Sequence, residues 1–461
     1  MMIRRFLFKN GDDTKMMQRA IVIGGSVAGL MAAKTLSPFF KEVIILEKDP
    51  LDSDSGLHKG AGQGSHSHVL LPSGIELLEQ LFGTPRFNLR EYGIYPADAA
   101  EELKWFQFGV WKKRFHSGVD MGWCHRSQFE WQVRQTVISV SNIQLQTGSR
   151  VLGLVVSEDG RRIKGVHYQA TLNKDATQML EADLIIDAAG RGTHTPKWLS
   201  EASIASVTED EVRAQISYTT RKFQIPESLT DSLDWKVLAI YPEPPNVKRG
   251  GMIYPLGNGE WMTTLVGFNG EVATLEMAGF MDYAQSLPQP DLYEVLKQGT
   301  PIGEPLNYRI PGSLWRRYDR IKQWPGNFLV VGDAVCSFNP IYGQGVTMAL
   351  KDLQKLKVLL EQQETDFTPA TMARLQKQIG QGKIIPWLMA ASPDFMYPGT
   401  RGKKPVGISM MNSYIKTIMK LAGKDQDIHQ RFIETFTFLK SPMVLMTPGI
   451  ISKVIRQKLS G

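Results

Sequence analysis

The chain has 461 residues, of which 42% are hydrophobic and 21% are charged. These proportions are typical of globular proteins, so they exclude a disordered or fibrous chain, and the length allows about three domains. No apolar run reaches the roughly 20 residues that a membrane-spanning helix needs. The apolar patch at residues 6–8 is too short for a secretory signal, so we expect a cytoplasmic protein with Cys124 and Cys336 reduced.

The net charge of +7 is concentrated at the C-terminal end. Residues 401–461 contain 11 Lys or Arg and 3 Asp or Glu, a net charge of +8, so the other 400 residues carry −1. Because the rest of the chain is nearly neutral, this distribution argues against nucleic acid as a partner. It indicates instead that the positive charge acts only on the surface formed by residues 401–461. Because apolar and basic residues are interleaved at helical spacing, we expect the tail either to contact a membrane surface or to pack on the body.

The first structural unit is a strand, a glycine turn, a helix and a second strand. Residues 20–23 have a buried-strand pattern, residues 27–36 have helical spacing, and residues 43–46 form a second strand that ends at Glu47. This order is typical of a parallel α/β sheet. Further predicted elements are a helix at residues 126–139, a hairpin at 151–168, and buried strands at 184–186 and 328–331.

Three other segments have different patterns. Residues 51–68 are rich in Ser, Gly, Asp and His, which predicts a long irregular loop, and such loops are usually functional. Residues 213–320 contain aromatic and β-branched stretches between Pro and Gly turns, which predicts a mainly antiparallel sheet. From residue 345 onward helical periodicity dominates.

A glycine-rich turn directly follows the first strand. Residues 24–29 read Gly-Gly-Ser-Val-Ala-Gly, and Glu47 follows at the end of the second strand. Such a turn lets the backbone approach a diphosphate at a helix N-terminus, while the carboxylate binds a ribose hydroxyl. Ser26 departs from the usual central glycine, and a plain tight turn is the alternative interpretation. Glu47 favours a dinucleotide without a ribose phosphate, such as FAD or NAD.

A second motif, near residue 330, indicates which dinucleotide is bound. The strand at residues 328–331 leads to Gly332-Asp333, and a Pro/Gly-rich turn at residues 339–345 opens a long helix. Asp333 is placed to bind the ribityl hydroxyls of FAD. The helix N-terminus is placed to face the flavin ring where negative charge develops on reduction. An ordinary strand end and helix entry is the alternative.

Together these motifs resemble those of the FAD-dependent monooxygenases of the aromatic-hydroxylase superfamily. Within it, the chain is most similar to the branch that includes squalene-epoxidase-like enzymes and bacterial polyether epoxidases. The resemblance covers nearly the whole chain from about residue 18. It is carried by the glycine turn, Arg126, residues 332–345, and shorter motifs at residues 64–71, 187–193, 318–320 and 397–399.

The resemblance implies an α/β fold in which a Rossmann-like FAD-binding domain of the glutathione-reductase type contains an inserted, mainly antiparallel substrate domain. We place the FAD-binding domain at residues 18–212 and the substrate domain at residues 213–325. The FAD-binding domain is completed at residues 326–362. A helical C-terminal cap follows at residues 363–461.

The resemblance also assigns site residues. The FAD diphosphate would lie at the glycine turn, the adenosine ribose at Glu47, the adenine at the Val151 backbone, and the isoalloxazine ring beside Pro340. The residues implied in cofactor binding are Gly24, Gly25, Ser26, Val27, Ala28, Gly29, Glu47, Lys48, Arg126, Val151, Asp333, Pro340, Gly343, Gly345 and Val346.

The implied activity is the insertion of one oxygen atom from O₂ into an apolar small molecule, by hydroxylation or epoxidation, through a flavin C4a-hydroperoxide. FAD carries this chemistry, so no catalytic triad is required. Electrons would come from NADH or NADPH, or from a separate flavin reductase. The Asp-Gly pair characteristic of the superfamily is Ala189-Gly190 here, and the sequence has no second nucleotide fingerprint, which favours transient docking of NAD(P)H or a separate reductase.

His66 and His68 are candidate pocket residues, because they share one face if their segment is extended. They are interpreted either as groups that handle protons in the pocket or as ordinary hydrogen-bonded loop histidines. No third ligand stands at suitable spacing, so no metal is expected. Four aromatic residues of the predicted substrate domain either line the pocket or form core: Tyr241, Tyr254, Trp261 and Phe268.

Three other functions share these features. A flavin reductase of the isoprenoid-saturating type has the same motifs but does not consume O₂. A flavin halogenase is expected to carry a Trp-x-Trp-x-Ile-Pro segment, which this chain lacks. A prenyl-protein escort module has this architecture without flavin chemistry, and an intact Glu47 and Asp333 argue against it.

Overall fold

The computed structural model describes residues 16–51, 64, 66–83, 89–170, 176–362 and 366–459, so most of the loop predicted at residues 51–68 lies outside the described residues. The helices are α1 (Val27–Leu36), α2 (Pro72–Phe82), α3 (Arg126–Ile138), α4 (Thr195–Glu201), α5 (Glu227–Thr230), α6 (Met277–Gln285), α7 (Asp291–Leu296), α8 (Gly345–Glu361), α9 (Pro369–Gln381), α10 (Ile384–Asp394), α11 (Ile408–Leu421), α12 (Gln426–Phe436) and α13 (Pro448–Leu459). The strands are β1 (Met17–Ile23), β2 (Phe40–Leu46), β3 (Ser67–Leu70), β4 (Ile94–Asp98), β5 (Leu103–Gln107), β6 (Val110–Trp111), β7 (Asp120–His125), β8 (Ile143–Gln146), β9 (Ser149–Val156), β10 (Ile163–Ala170), β11 (Thr177–Glu181), β12 (Leu184–Asp187), β13 (Glu209–Gln224), β14 (Val237–Ile240), β15 (Arg249–Gly257), β16 (Glu260–Gly267), β17 (Thr300–Arg316), β18 (Phe328–Val330), β19 (Cys336–Ser337) and β20 (Arg401–Gly402).

A five-stranded parallel sheet, in the order β18-β12-β1-β2-β8, forms the centre of the first layer. The last four residues of β1 and of β2 and all of β12 and β18 are buried, as expected when helices cover both faces of a parallel sheet. Ile185 of β12 pairs with Phe328 of β18, so segments that are distant in the sequence complete one sheet. The predicted strand, helix and strand order at residues 20–46 is confirmed.

A nine-stranded sheet faces this layer. Its order is β19-β17-β13-β16-β15-β14-β5-β6, and β20 pairs with β13. All of its pairs are antiparallel except β14 with β5, so the mainly antiparallel sheet predicted from the sequence is confirmed. Strands β5 and β6 precede residue 212, so this sheet also takes strands from the segment assigned to the FAD-binding domain.

Two three-stranded sheets complete the β structure. The predicted hairpin is confirmed as β9 and β10, which pair antiparallel. Strand β11 then pairs with β10 as the third strand of this sheet. The other sheet has the order β3-β7-β4, and in it Ser67 pairs with His125 at the end of β7. Arg126 starts α3 directly after this strand, as the sequence predicted.

The basic C-terminal tail packs on the body as helices α11 to α13. Ile418, Phe432 and Ile450 are buried in one apolar cluster with residues of β5 and β7. The ring of Trp105 lies 5.7 Å from that of Phe432 and 5.8 Å from that of Phe436. Among the described residues, no helix is long and apolar enough to cross a membrane.

A buried carboxyl group connects α10 to the nine-stranded sheet. Asp394 is 1% exposed, and the side-chain amide of Asn339 donates to it at 3.1 Å. The Tyr218 hydroxyl in turn donates to the Asn339 side-chain oxygen at 3.2 Å. Burial raises the pKa of Asp394 to about 8, although the hydrogen bond from Asn339 opposes this shift.

The raised pKa of Asp394 predicts a pH-dependent contribution to stability. Between its ordinary pKa of 3.8 and its folded pKa of about 8, the unfolded chain releases this proton while the folded chain keeps it. The stabilisation is therefore complete below the ordinary pKa and is lost as the pH rises through the folded pKa, by up to ~1.4 kcal/mol per pH unit. We expect Asp394→Asn to flatten this fall in the free energy of unfolding, measured by urea denaturation across the range. The exposed Asp231→Asn is the matched control, and parallel curves for the parent and Asp394→Asn would contradict the assignment.

Candidate functional site

One cavity of about 440 Å³ lies between the parallel sheet and the nine-stranded sheet. Ile23, Leu46 and Ala188 line it, at the carboxyl ends of β1, β2 and β12, which is where open α/β sheets bind ligands. Both candidate histidines and every predicted cofactor-binding residue except Gly25 and Gly29 line this cavity.

Gly25 and Gly29 shape the turn instead of lining the cavity. A Cβ atom at Gly29 would lie 1.8 Å from the carbonyl oxygen of Gly24, so only glycine permits this contact between α1 and the end of β1. Gly24 has a φ of +100°, a conformation that favours glycine. The backbone N–H of Gly25 donates to Glu47 Oε2 at 2.7 Å, so the acidic residue also holds the turn.

Ser26, the departure from the usual glycine, belongs to a buried polar network. Its hydroxyl donates to Glu130 Oε2 at 2.8 Å, and Arg126 Nη2 donates to the Ser26 hydroxyl at 3.3 Å. Glu130 also lies 3.5 Å from Arg126 and 3.4 Å from Arg134, one helical turn away in each direction. Sequence reasoning missed Glu130, for which the i,i+4 spacing to Arg126 was the available signal.

Asp333 lies in a single helical turn, Gly332–Ala334, directly after β18. The N–H of Gly332 donates to Asp352 Oδ2 at 3.0 Å, and Lys383 forms an ion pair with Asp352 at 2.7 Å in which both side chains are 1% exposed. A Cβ atom at Gly345 would lie 3.5 Å from Asp333 Oδ1. The Asp333 carboxylate is therefore held beside the N-terminus of α8.

The turn before α8 is closely covered by β3. Asn339 Oδ1 accepts the N–H of Ile341 and so caps the turn Pro340–Tyr342. Gly343 follows with a φ of +64°, and a Cβ atom there would lie 2.3 Å from Val69 Cγ1. Pro340, Gly343, Gly345 and Val346 all line the cavity at this point.

His66 and His68 both lie in the cavity wall, and both are uncharged at neutral pH. Burial, assisted by repulsion from His125, lowers the pKa of His66 to about 4. Burial and the nearby Arg126 lower the pKa of His68 to about 3. His66 Nδ1 lies 2.8 Å from the Thr220 hydroxyl, which makes His66 part of a polar cluster.

The nine-stranded sheet, β7 and α12 supply the apolar wall. Of the four aromatic candidates, only Tyr241 lines the cavity, whereas Tyr254, Trp261 and Phe268 are buried in the core. Sequence reasoning missed most of the wall, which comprises Leu103, Trp105, Met121, Trp123, Ala239, Met252, Ile310 and Phe436.

The cavity also contains polar atoms that suit a bound dinucleotide. Among the described residues, the Gln344 side-chain amide, Arg126 Nε and His68 Nε2 are buried without a hydrogen-bond partner. Unpaired buried polar atoms are rare in folded proteins. With the glycine turn, Asp333 and the N-terminus of α8, these residues fit the polar groups of FAD.

Comparisons with known proteins agree with this arrangement, although no family model matches the chain. Protein Rv3254 of Mycobacterium tuberculosis is 28% identical, over 95% of this chain and 94% of that protein. Squalene epoxidase 1 of Arabidopsis thaliana is 24% identical, over 74% of this chain but only 59% of that longer protein.

Solved structures show the same fold at low sequence identity. The flavin-dependent halogenase CmlS has a TM-score of 0.64 and 16% identity, with 92% of this chain and 76% of that one covered. PqsL of Pseudomonas aeruginosa, described as a probable FAD-dependent monooxygenase, has a TM-score of 0.58 and 14% identity, with 80% and 92% covered. The predicted resemblance is confirmed: the chain has the fold of the FAD-dependent monooxygenases and halogenases, and its relatives in sequence include squalene epoxidases, which are oxidoreductases.

Proposed function

We propose that the protein is a FAD-dependent monooxygenase that transfers one oxygen atom from O₂ to an apolar small molecule. The observation that carries this proposal is a single cavity in which the glycine turn, Asp333 and the N-terminus of α8 face an aromatic, uncharged wall. A flavin site and an apolar substrate compartment in one enclosure are what oxygen transfer requires.

The residues on the parallel-sheet side would hold the cofactor. The turn of Gly24 and the N-terminus of α1 would bind the diphosphate, and Glu47 with Lys48 would lie at the adenosine ribose. Val151 would contact the adenine through its backbone, while Arg126 and Asp333 would bind the ribityl region. Residues 340–346 would lie beside the ring.

Bound FAD would supply the redox chemistry, and the protein would orient it and exclude water. Helix α8 has 17 residues, and its N-terminal N–H groups would stabilise negative charge on the reduced ring. The close contact between β3 and Gly343 and the aromatic side chains of the apolar wall would keep solvent from the reacting atoms.

The electron source remains part of the proposal, as NADH or NADPH, or a separate flavin reductase. Arg191 follows the Ala189-Gly190 pair, lines the cavity and donates to the carbonyl of Gly312 at 2.7 Å. It therefore joins the parallel sheet to the nine-stranded sheet at the place where the superfamily carries its Asp-Gly pair.

Halogenation is the less favoured chemistry, although halogenases share the fold. Among the described residues that line the cavity, the only lysine is Lys48, beside Glu47 on the parallel-sheet side. None of the described residues therefore places a lysine on the apolar side of the cavity, and the Trp-x-Trp-x-Ile-Pro segment expected of a halogenase is missing from the sequence.

The cofactor site can be tested by flavin content. We expect Gly29→Trp and Asp333→Ala to purify without yellow colour, because the first fills the turn and the second removes the carboxylate beside α8. Gly153→Ala is the matched glycine control, since a Cβ atom there meets nothing within 4 Å. The measurement is flavin absorbance per mole of protein, and stoichiometric FAD in both site variants would contradict the assignment.

The reaction can be tested by following O₂. The holoenzyme is supplied with NADH or NADPH, with and without a flavin reductase, and presented with apolar aromatic and polyene compounds. We expect O₂ uptake to rise with substrate and one labelled oxygen atom from O₂ to enter the product. Reduction of a substrate without O₂ uptake would identify a flavin reductase instead, and a strict requirement for chloride or bromide would identify a halogenase.

We also propose a peripheral membrane contact through the C-terminal helices. Met410, Met443 and Leu459 are 76%, 70% and 83% exposed, on or beside elements that carry the basic excess. Lys458 donates to Ser413 at 2.9 Å and Tyr414 to the carbonyl of Leu445 at 2.6 Å, which places α13 and residues 442–445 beside α11. Apolar side chains among cations suit an anionic lipid surface.

This contact predicts binding to anionic vesicles. We expect the parent to co-sediment with phosphatidylglycerol vesicles more than with phosphatidylcholine vesicles, and serine at positions 410, 443 and 459 to reduce this severalfold. The control is Leu152→Ser combined with Met179→Ser, at two residues that are exposed on the sheet of β9, β10 and β11. Equal sedimentation of the parent and the triple variant would leave these residues as ordinary surface.

A further inference from the structure

A chain of hydroxyl groups forms the polar part of the cavity wall. His66 Nδ1 lies 2.8 Å from Thr220 Oγ1, which lies 2.6 Å from Thr264 Oγ1, which in turn lies 2.5 Å from Ser67 Oγ. His66, Ser67 and Thr264 line the cavity, while Thr220 lies behind them. We call these four residues the hydroxyl chain.

The register of the sheet fixes the position of the hydroxyl chain. Thr220 of β13 and Thr264 of β16 are directly opposite one another, and both are buried. Cross-strand threonine pairs of this kind stabilise antiparallel sheets through their hydroxyls. The rings of Tyr218 and Tyr308 lie 6.4 Å and 5.6 Å from the His66 ring, so its orientation is held from several sides.

The hydroxyl chain leaves one nitrogen of His66 for another partner. Nδ1 is engaged by Thr220, and among the described residues no hydrogen bond is made by Nε2. Because burial keeps this ring uncharged at neutral pH, Nε2 is either a neutral donor or a neutral acceptor. Both forms suit a hydroxyl group, and the donor form suits a carbonyl oxygen.

The wall around His66 is formed by uncharged side chains, and Arg191 reaches only its edge, at the Gly312 carbonyl. The described lining residues of the nine-stranded sheet, β3, β7 and α12 are all apolar or neutral polar at neutral pH. The side chains that are charged at neutral pH lie elsewhere in the lining: Glu47, Lys48, Arg126, Arg150, Arg191 and Asp333.

We propose that His66, oriented by the hydroxyl chain, determines substrate specificity by binding the one polar oxygen of a neutral, otherwise apolar molecule. This inference rests on the proposed function, because it takes the parallel-sheet side of the cavity to be filled by FAD. A pure hydrocarbon leaves the buried imidazole without a partner. A carboxylate finds no cationic side chain on the apolar elements, and the Arg191 guanidinium that reaches β17 is already bonded to the Gly312 carbonyl.

This substrate class differs from those of two similar proteins. PqsL has been solved with 2-aminobenzoylacetate, which carries a carboxylate, and squalene is a hydrocarbon. The wall described here combines an aromatic compartment with a neutral hydrogen-bonding group. It therefore suits a neutral molecule with one polar oxygen better than a carboxylate or a pure hydrocarbon.

Three probes that differ only in one substituent separate these classes. Naphthalene, 1-naphthalenemethanol and 1-naphthoate are titrated into the oxidised holoenzyme, and binding is read from the perturbation of the flavin absorbance bands, without turnover. We expect the alcohol to bind roughly tenfold more tightly than naphthalene, as one buried hydrogen bond contributes, and the carboxylate to bind least.

Variants of the hydroxyl chain assign this preference to His66. His66→Leu should bring the alcohol and the hydrocarbon to within about twofold of each other, and His66→Gln should restore part of the difference. Thr264→Val, nearly the same size as the parent residue, should also lower the preference if His66→Leu does not fold. Thr263→Val is the matched control, because the adjacent Thr263 is buried, lies outside the cavity lining and has a hydroxyl with no partner among the described residues.

Several outcomes would overturn the proposal. Naphthalene or 1-naphthoate could bind as tightly as the alcohol. The preference for the alcohol over naphthalene could persist in both His66→Leu and Thr264→Val. Finally, none of the three probes could bind. A protein that purifies without FAD contradicts the proposed function itself, whereas a FAD-loaded protein that fails the probe test contradicts only the substrate class.

Discussion

The contact between the end of β1 and the start of α1 is the constraint on which the site depends. A side chain at Gly29 would overlap the carbonyl of Gly24, so the helix approaches the strand as closely as two backbones allow. This approach aims the N–H groups of α1 at the cavity and brings Gly25 within hydrogen-bond distance of Glu47. Arg126, on a different helix, reaches the same turn through Ser26.

The cavity is divided by charge, and the division follows the two sheets. Among the described lining residues, the ionised side chains follow β2, β12 and β18 or lie on α3 and β9, and none belongs to the nine-stranded sheet. The nine-stranded sheet contributes only neutral groups to the described lining, and burial suppresses the charge of His66, which precedes β3 and contacts this sheet at Thr220. Keeping ions out of the substrate side lowers the local polarity and strengthens each remaining hydrogen bond.

The elements of the parallel sheet could be predicted from short stretches of sequence, because a continuous apolar strand and a glycine turn are each formed by neighbouring residues. Most of the residues proposed to bind FAD could be predicted to line one cavity for the same reason, since each belongs to a short motif. The apolar wall was not, because Leu103, Met121 and Phe436 come from separate elements that only the sheet order brings together. Likewise, the pairing of Thr220 with Thr264 depends on strand register, which no local pattern specifies.

The ring contact between Trp105 and Phe436 joins a strand from the first quarter of the chain to a helix near its end. The cavity is therefore enclosed only after almost all of the polypeptide has folded, through contacts of very long sequence separation. A nascent chain that has formed the glycine turn and Asp333 would already hold the groups that attract FAD, but its pocket would still be open to water beside Trp105. The residues proposed to bind FAD all precede α12 in the chain, whereas enclosure of the cavity beside Trp105 requires Phe436 of α12.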